Sequence, residues 1–221
     1  MKHHLNATFG QKDTGTVSTI SACAVGYYKE KSGNYPCTPC PHGFYASNQG
    51  SASCTLQPAG SHVSPNNDGI LDCPAGSYSN AGDDVCTNCP AGYYQDSTTG
   101  ESSCKIVPAG KVGLTSADST ATASQSAAKE LSDCPAGTYK ALEGASNCIN
   151  VPAGSVGHSA IATSTTTHET GAYQLWPCPA GTYKAAAGAS ACIDIDPGKQ
   201  GQSSAATDGS TYVATGAAFQ V

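Results

Sequence analysis

The side chains with the most chemistry in this 221-residue chain are twelve cysteines, at positions 23, 37, 40, 54, 73, 86, 89, 104, 134, 148, 178 and 192. Thiolates at such density can hold a metal, exchange as a redox pair, or cross-link the chain. Cys37-x-x-Cys40 and Cys86-x-x-Cys89 have zinc-knuckle spacing, but that four-cysteine set leaves the other eight without a role. A redox Cys-x-x-Cys needs a βαβ setting that is missing here. Taken in sequential pairs, the cysteines are 14, 14, 13, 15, 14 and 14 positions apart. Stretches of 29 residues without a cysteine flank Cys134–Cys148 on both sides and precede Cys178. Local pairing is therefore the economical solution: Cys23–Cys37, Cys40–Cys54, Cys73–Cys86, Cys89–Cys104, Cys134–Cys148 and Cys178–Cys192. Spacing by itself leaves other connectivities open.

The remaining candidates are weaker. Of the six histidines (3, 4, 42, 62, 158 and 168), only the adjacent His3 and His4 come near a metal-ligand spacing; all six are expected in exposed loops. "NNDG" (Asn66 to Gly69) and "DID" (Asp194 to Asp196) offer oxygen ligands for calcium but lack the alternating spacing and distal Glu, and are expected as turns. No nucleophile elbow, phosphate loop or Ser/His/Asp setting occurs, so no catalytic residue, metal or cofactor is expected. Asn6-Ala7-Thr8 is the one N-glycosylation sequon, which makes Asn6 the candidate glycan site. Thr163 to Thr167 and Ser119 to Thr122 are candidate O-glycan clusters.

Something must hold these cysteines in place, and composition argues against one hydrophobic core. Aromatic residues are 7% and charged residues 12%, with 25 Gly and 13 Pro. Too few large apolar side chains are present to offset the ordering entropy of so long a chain. A Gly/Pro-rich chain with an even number of spaced cysteines reads as an extracellular disulfide framework. A bridge closing a loop of ~15 residues contributes ~3 kcal/mol in the chain-entropy model, so six can replace a core. The net charge of −6, with only ten Lys and Arg, excludes a basic nucleic-acid surface. No apolar run reaches the ~18 residues of a membrane span. "MKHHLNATFG" lacks the apolar region of a signal peptide.

The cysteines sit in a repeat. "CAVGYY", "CPHGFY", "CPAGSY", "CPAGYY" and twice "CPAGTY" open the six pairs, with Gly three and Tyr five positions after the first cysteine in all six. Four further phrases, "QPAG", "VPAG", "VPAG" and "IDPG", repeat this opening with Gln57, Val107, Val151 and Ile195 in place of the cysteine. A cysteine fourteen residues on is absent there too, which supports local pairing. Module starts then fall at 23, 40, 57, 73, 89, 107, 134, 151, 178 and 195. From Val107 onward the period is 44, as in Val107, Val151 and Ile195, or Cys134 and Cys178.

This organisation predicts a lead-in, or the end of a preceding repeat, over 1–22, and a three-module repeat over 23–72. A three-module repeat with a long Ser/Thr linker follows over 73–133, then two-module repeats over 134–177 and 178–221. The next cysteine of the period falls just beyond Val221, so the chain is expected to be a segment of a longer protein.

Pro-Ala-Gly reads as a tight turn and "GTYKA" as a short strand, giving small two-stranded β units clipped by a bridge. The expected fold is thus small disulfide-rich β modules in tandem, an elongated repeat rod with short strands and little or no helix. The tyrosine five after each cysteine is expected to lie over the bridge. The linkers Leu114 to Asp133 and His158 to Pro177 are expected to pack along a neighbouring module or chain. "TASQSAAKEL" allows a turn or two of helix.

"CPAGTYKALEGASNC" closely resembles the cysteine-rich repeats of ephrin-type receptor ectodomains and of many protist and algal surface proteins. More loosely it resembles the first submodule of tumour-necrosis-factor-receptor repeats. The resemblance covers most of residues 23 to 198 and implies disulfide-laddered rods without a catalytic role. The cysteine-free modules and long linkers depart from animal receptors and point to an adhesive, surface-coat or flagellar-hair (mastigoneme-like) filament protein. Expected partners are other copies of the chain or filament proteins, and glycans, with no nucleic acid and no membrane span. The alternative is a receptor-like ectodomain binding a protein ligand. Either reading places the chain outside the cell, secreted or at the surface.

Overall fold

A computed structural model describes residues 20–97, 100–159, 166–202 and 215–220. Among them are twenty short strands and no helix. The strands pair only as ten separate two-stranded antiparallel hairpins. Hairpins 1 to 4 are β1/β2 (Tyr27–Tyr28, Thr38–Pro39), β3/β4 (Phe44–Tyr45, Thr55–Leu56), β5/β6 (Ser61–Val63, Ile70–Asp72) and β7/β8 (Ser77–Tyr78, Thr87–Asn88). Hairpins 5 to 7 are β9/β10 (Tyr93–Tyr94, Lys105–Ile106), β11/β12 (Lys111–Leu114, Glu130–Asp133) and β13/β14 (Thr138–Tyr139, Ile149–Asn150). Hairpins 8 to 10 are β15/β16 (Ser155–His158, Gln174–Pro177), β17/β18 (Thr182–Tyr183, Ile193–Asp194) and β19/β20 (Gly201–Gln202, Phe219–Gln220). The chain forms two compact units, Met1–Asn88 with Ser97–Cys104, and Cys89–Asp96 with Lys105–Val221.

The turn that launches each hairpin follows from three residues. In "CPAGTY" the Thr138 N–H donates to the Pro135 carbonyl at 3.0 Å, and Gly137 between them has φ +84°. That is a type II turn, whose third position favours glycine because an L side chain is strained there. Proline stands at its first position. The same bond recurs from Phe44 to Pro41, Ser77 to Pro74, Tyr93 to Pro90 and Thr182 to Pro179.

This glycine also joins consecutive hairpins. Its carbonyl accepts the N–H of the residue that opens the next one, as in Cys40 to Gly26 (2.9 Å) and Gln57 to Gly43 (2.8 Å) in the first unit. Cys134 to Gly110 (2.8 Å) and Val151 to Gly137 (2.9 Å) repeat the bond in the second. Its N–H can reach forward as well: Gly60 donates to the Ser79 carbonyl and Gly110 to the Lys140 carbonyl, both at 2.9 Å.

The bare Cα of the glycine then lies under the tip of the next hairpin but one. A Cβ on Gly43 would stand 2.2 Å from the Gly82 carbonyl oxygen, and one on Gly60 2.2 Å from that of Gly100. In the second unit, Gly110 would meet the Gly171 oxygen at 2.1 Å and Gly154 the Gly216 oxygen at 2.3 Å. Gly92 and Gly137 would meet the Ala145 and Ala189 backbone nitrogens at 2.3 and 2.4 Å. Each tip is also bonded to the hairpin in between. Gly82 donates to the Gln57 carbonyl, Gly144 to Val107, Gly171 to Cys134, Gly188 to Val151 and Gly216 to Cys178. In hairpin 3 the tip "NNDG" is a turn with Asn67 at φ +56°, and the Asn67 side-chain amide donates to the Cys40 carbonyl at 2.9 Å.

The long linkers are the loops of hairpins 6 and 8. Each returns to the hairpin before it through a buried alanine: Ala128 bridges Tyr94 in parallel and accepts the Gln95 N–H, and Ala172 accepts the Lys140 N–H. The helical turn allowed for "TASQSAAKEL" does not form. Ala127 has φ +54° and donates to the Cys89 carbonyl, and the chain then extends into β12. Pairing with a neighbouring hairpin overrides local helix propensity here.

Substituting alanine at a covered glycine adds a clash to the left-handed strain. Gly154→Ala is expected to destabilise the folded chain by more than about 2 kcal/mol. Gly198→Ala, whose Cβ would meet no described atom within 4 Å, is expected to cost only the backbone strain of about 1 kcal/mol. Denaturant unfolding with disulfides intact measures both, and equal losses would contradict the stacking.

Candidate functional site

The bridges run Cys23–Cys37, Cys40–Cys54, Cys73–Cys86, Cys134–Cys148 and Cys178–Cys192, with Cα separations of 5.6 to 5.8 Å. Cys89 and Cys104 are also disulfide-bonded, and no described cysteine is free. Every thiol is thus committed to cross-linking, and among the described residues no three His, Cys, Asp or Glu side chains gather into a metal site. Asn6 and Thr163 to Thr165 lie outside the described residues.

What packs against the bridges is the neighbouring hairpin. Cys134 and Cys148 cluster with Val112 and Leu114 of β11, and Cys178 and Cys192 with Val156 of β15. The six tyrosines expected over the bridges are only half-buried. At three cysteine-free openings, Gln57, Val107 and Val151 are fully buried in the cysteine's place. Valine fills the site with apolar volume. Gln57 fills it with hydrogen bonds: its Nε2 donates to the Pro58 and Ser61 carbonyls, and its Oε1 accepts from Gly82 N–H at 2.7 Å.

Six residues after the opening, five of the six cysteine-opened hairpins carry a polar side chain (Lys29, Ser79, Gln95, Lys140 and Lys184), and the other carries Ala46. Strand alternation turns this position inward, beneath the preceding hairpin. Ser79 donates to the Ser61 carbonyl at 2.6 Å. Lys140 is 1% exposed, and its ammonium meets the carbonyls of Gly144 (2.7 Å), Lys111 (2.9 Å) and Pro108 (3.4 Å). Lys184, one period later, reaches the Pro152 and Val151 carbonyls at 3.2 and 3.3 Å. Burial holds both amines below the usual lysine range. "GTYK" carried the signal for these residues, because Thr and Lys share the face opposite Tyr, but lysine ordinarily marks a solvated position.

Hairpin 8 carries the sharpest departure from the repeat. His158 is fully buried rather than exposed, stacked on Trp176 with ring centroids 4.5 Å apart. Its Nδ1 lies 3.7 Å from Glu169 Oε1, and neither ring nitrogen has a hydrogen-bond partner. Glu169 Oε2 accepts from the Ser159 N–H and hydroxyl at 2.9 and 2.7 Å. His168 is half-buried; its Nδ1 accepts the Gly157 N–H at 3.1 Å and its Nε2 donates to the Ser190 carbonyl at 2.9 Å. Its pKa is lowered, first by burial and then by nearby Lys184 and His158, against the Ser190 bond that raises it. One period earlier, Leu114, Ser124 and Gln125 hold the places of His158, His168 and Glu169. There Ser124 Oγ accepts the Gly113 N–H at 3.2 Å, and Gln125 Oε1 the Thr115 N–H at 3.0 Å. The frame is the same, with titratable groups installed in it. Of the other described histidines, His42 is exposed and paired with Asp84, and His62 is part-buried.

Fold and cross-links together define a tandem of small disulfide-rich, receptor-like β modules. Residues 26–67 and 76–127 match the family described as tyrosine-protein kinase ephrin type A/B receptor-like. No curated protein matches the chain. No helix among the described residues is long and apolar enough to cross a membrane.

Two substitutions test these contacts. Lys140→Met removes the ammonium donor from the Gly144 and Lys111 carbonyls in a buried site and is expected to cost about 1–3 kcal/mol in denaturant unfolding. Because His168 is held below its ordinary value of 6.5, the folded chain binds fewer protons than the unfolded one on acidification. Its stability is full above pH 6.5 and falls as the pH drops from there to the lowered folded value. His168→Ser keeps an acceptor for Gly157, as Ser124 does for Gly113, and is expected to flatten the stability profile on the acid side of pH 6.5. An unchanged slope would rule out His168 as its source.

Proposed function

We propose that the chain is a non-enzymatic structural segment of a large extracellular repeat glycoprotein that builds a rod or filament, of the surface-coat, adhesin or flagellar-hair kind. The observation that carries this reading is where the buried residues are spent. Cysteines, glycines, Val107, Val112, Val151, Val156 and the amines of Lys140 and Lys184 all serve joints between hairpins. The same joint recurs through each compact unit, as in solenoid proteins whose stability sums over neighbouring repeats. A disulfide framework of this density belongs to an oxidising, extracellular setting.

The match of 26–67 and 76–127 to the ephrin-receptor-like family favours a second reading, a receptor-like ectodomain that binds a protein ligand. A transmembrane helix and cytoplasmic domain encoded downstream in the same gene would decide for it.

Electron microscopy of the chain, produced in an oxidising compartment, tests the first reading. Stiff, extended particles of uniform width are expected, collapsing after reduction of the bridges. Compact, isometric particles from the oxidised chain would overturn it.

A further inference from the structure

His158 and His168 occupy a joint that closes without them. One period earlier, Leu114, Ser124 and Gln125 stand in the places of His158, His168 and Glu169, and the backbone frame is the same. The Gln125 and Glu169 N–H groups donate to the Gly113 and Gly157 carbonyls at 2.8 and 3.1 Å. Forward to the next hairpin, the Cys148 and Cys192 N–H groups donate to the Thr122 and Thr166 carbonyls at 2.7 and 2.9 Å. The two imidazoles are therefore additions that the stacking itself does not call for.

His168 joins two hairpins. Its Nδ1 accepts the Gly157 N–H of β15 at 3.1 Å, so that nitrogen carries no proton, and its Nε2–H donates to the Ser190 carbonyl in the loop of hairpin 9 at 2.9 Å. A proton on Nδ1 would set two donors against each other and part the first bond. His158 has no exposed surface, and neither ring nitrogen has a hydrogen-bond partner among the described residues. Burial without those bonds costs free energy that contact with water would return. Two charged groups face the pair: Glu169 Oε1, 3.7 Å from His158 Nδ1, and the ammonium of Lys184 from hairpin 9, held by the Val151 and Pro152 carbonyls. Tyr173 donates its backbone N–H to the His158 carbonyl at 3.0 Å, and β16 brings Gln174, Leu175 and Trp176, none of them titratable. No ionisable side chain lies between Ser159 and Thr167 in the chain. Burial first, and then the positive charges of Lys184 and of a protonated His158, hold His168 below its ordinary 6.5.

We propose that the loop of hairpin 8 is an acid-released staple between hairpins 8 and 9, with His168 as its latch and His158 as the buried group that takes a second proton once the latch parts. In the closed joint Glu169 can balance one positive charge, and each imidazole opposes a proton on the other. In the open joint both rings reach water and both bind protons. The open form therefore holds more protons than the closed one. Closure is fully favoured above pH 6.5, and the open form gains on it as the pH falls from there. The joint between hairpins 6 and 7, built on Leu114, Ser124 and Gln125, has no such response. This device stands equally in a rod or in a receptor-like ectodomain.

Native-state amide hydrogen exchange of the oxidised full chain, followed residue by residue by NMR and corrected for the intrinsic pH dependence of exchange, tests it. The Gly157 and Cys192 amides, whose acceptors are His168 and Thr166, report the staple, and Gly113 and Cys148 are their counterparts one period earlier. Between about pH 7.5 and about pH 5, protection at Gly157 and Cys192 is expected to fall at least about threefold while Gly113 and Cys148 hold theirs. Trp176, the single tryptophan, is stacked on His158, and its emission is expected to change over the same range. The triple variant His158→Leu, His168→Ser, Glu169→Gln copies the hairpin 6 joint, and both responses are expected to vanish in it. If a free-thiol count shows that variant to be misfolded, His168→Ser alone replaces it, with the loss of protection at least halved. Equal pH dependence at the two joints would overturn the proposal, as would a folded variant that responds in full. A change in Trp176 emission with protection intact would mean protonation in place and would overturn it too.

Discussion

One contact organises everything else: the bare Cα of a turn glycine lying beneath the backbone of the next hairpin but one. Without a side chain there, two peptide groups approach closely enough that tip, opening and turn share a single set of hydrogen bonds. Any Cβ would push the tip away and leave those donors and acceptors without partners. Packing of this kind needs no large apolar side chain, which accounts for a folded chain with so few of them. Backbone close approach does here what side-chain interdigitation does in an ordinary core.

The bridges and the glycines divide the work between them. A disulfide fixes the width of its own hairpin and reduces the freedom of the unfolded loop, while the glycine joint ties that hairpin to its neighbours. This division makes Gln57, Val107 and Val151 tolerable in place of a half-cystine. The opening position needs filling, and either apolar volume or a satisfied amide fills it. Hairpins 6 and 8, which lack a bridge, have longer strands and loops that return through Ala128 and Ala172, so added pairing offsets the missing cross-link.

Much of this was legible in the residues themselves. Cys-Pro-x-Gly-x-Tyr announced a turn and a strand at each recurrence, and a short hairpin forms at every one. What escaped were contacts made at a distance. Nothing local to Gly43 names Gly82, since the partner lies two repeats away and meets it through backbone atoms that carry no residue identity. Lys140 and Lys184 read as solvated because their acceptors are carbonyls of another hairpin. His158 read as a loop residue because the strand it ends grows longer than the short strands of the cysteine-closed hairpins. Trp176, set diagonally across that strand pair, was the one neighbouring hint of burial.

The reach of the glycine joint has a bearing on how such a chain can grow. Because the described tips seat on the two hairpins before them and the long loops bond to the hairpin after them, an inserted pair of one short bridged and one long unbridged hairpin recreates these contacts at both borders. The 44-residue step from Val107 to Val151 is such a pair, and duplication in that unit lengthens the array without redesign of any surface. Length is thereby uncoupled from fold, so gene-level copying alone can adjust it.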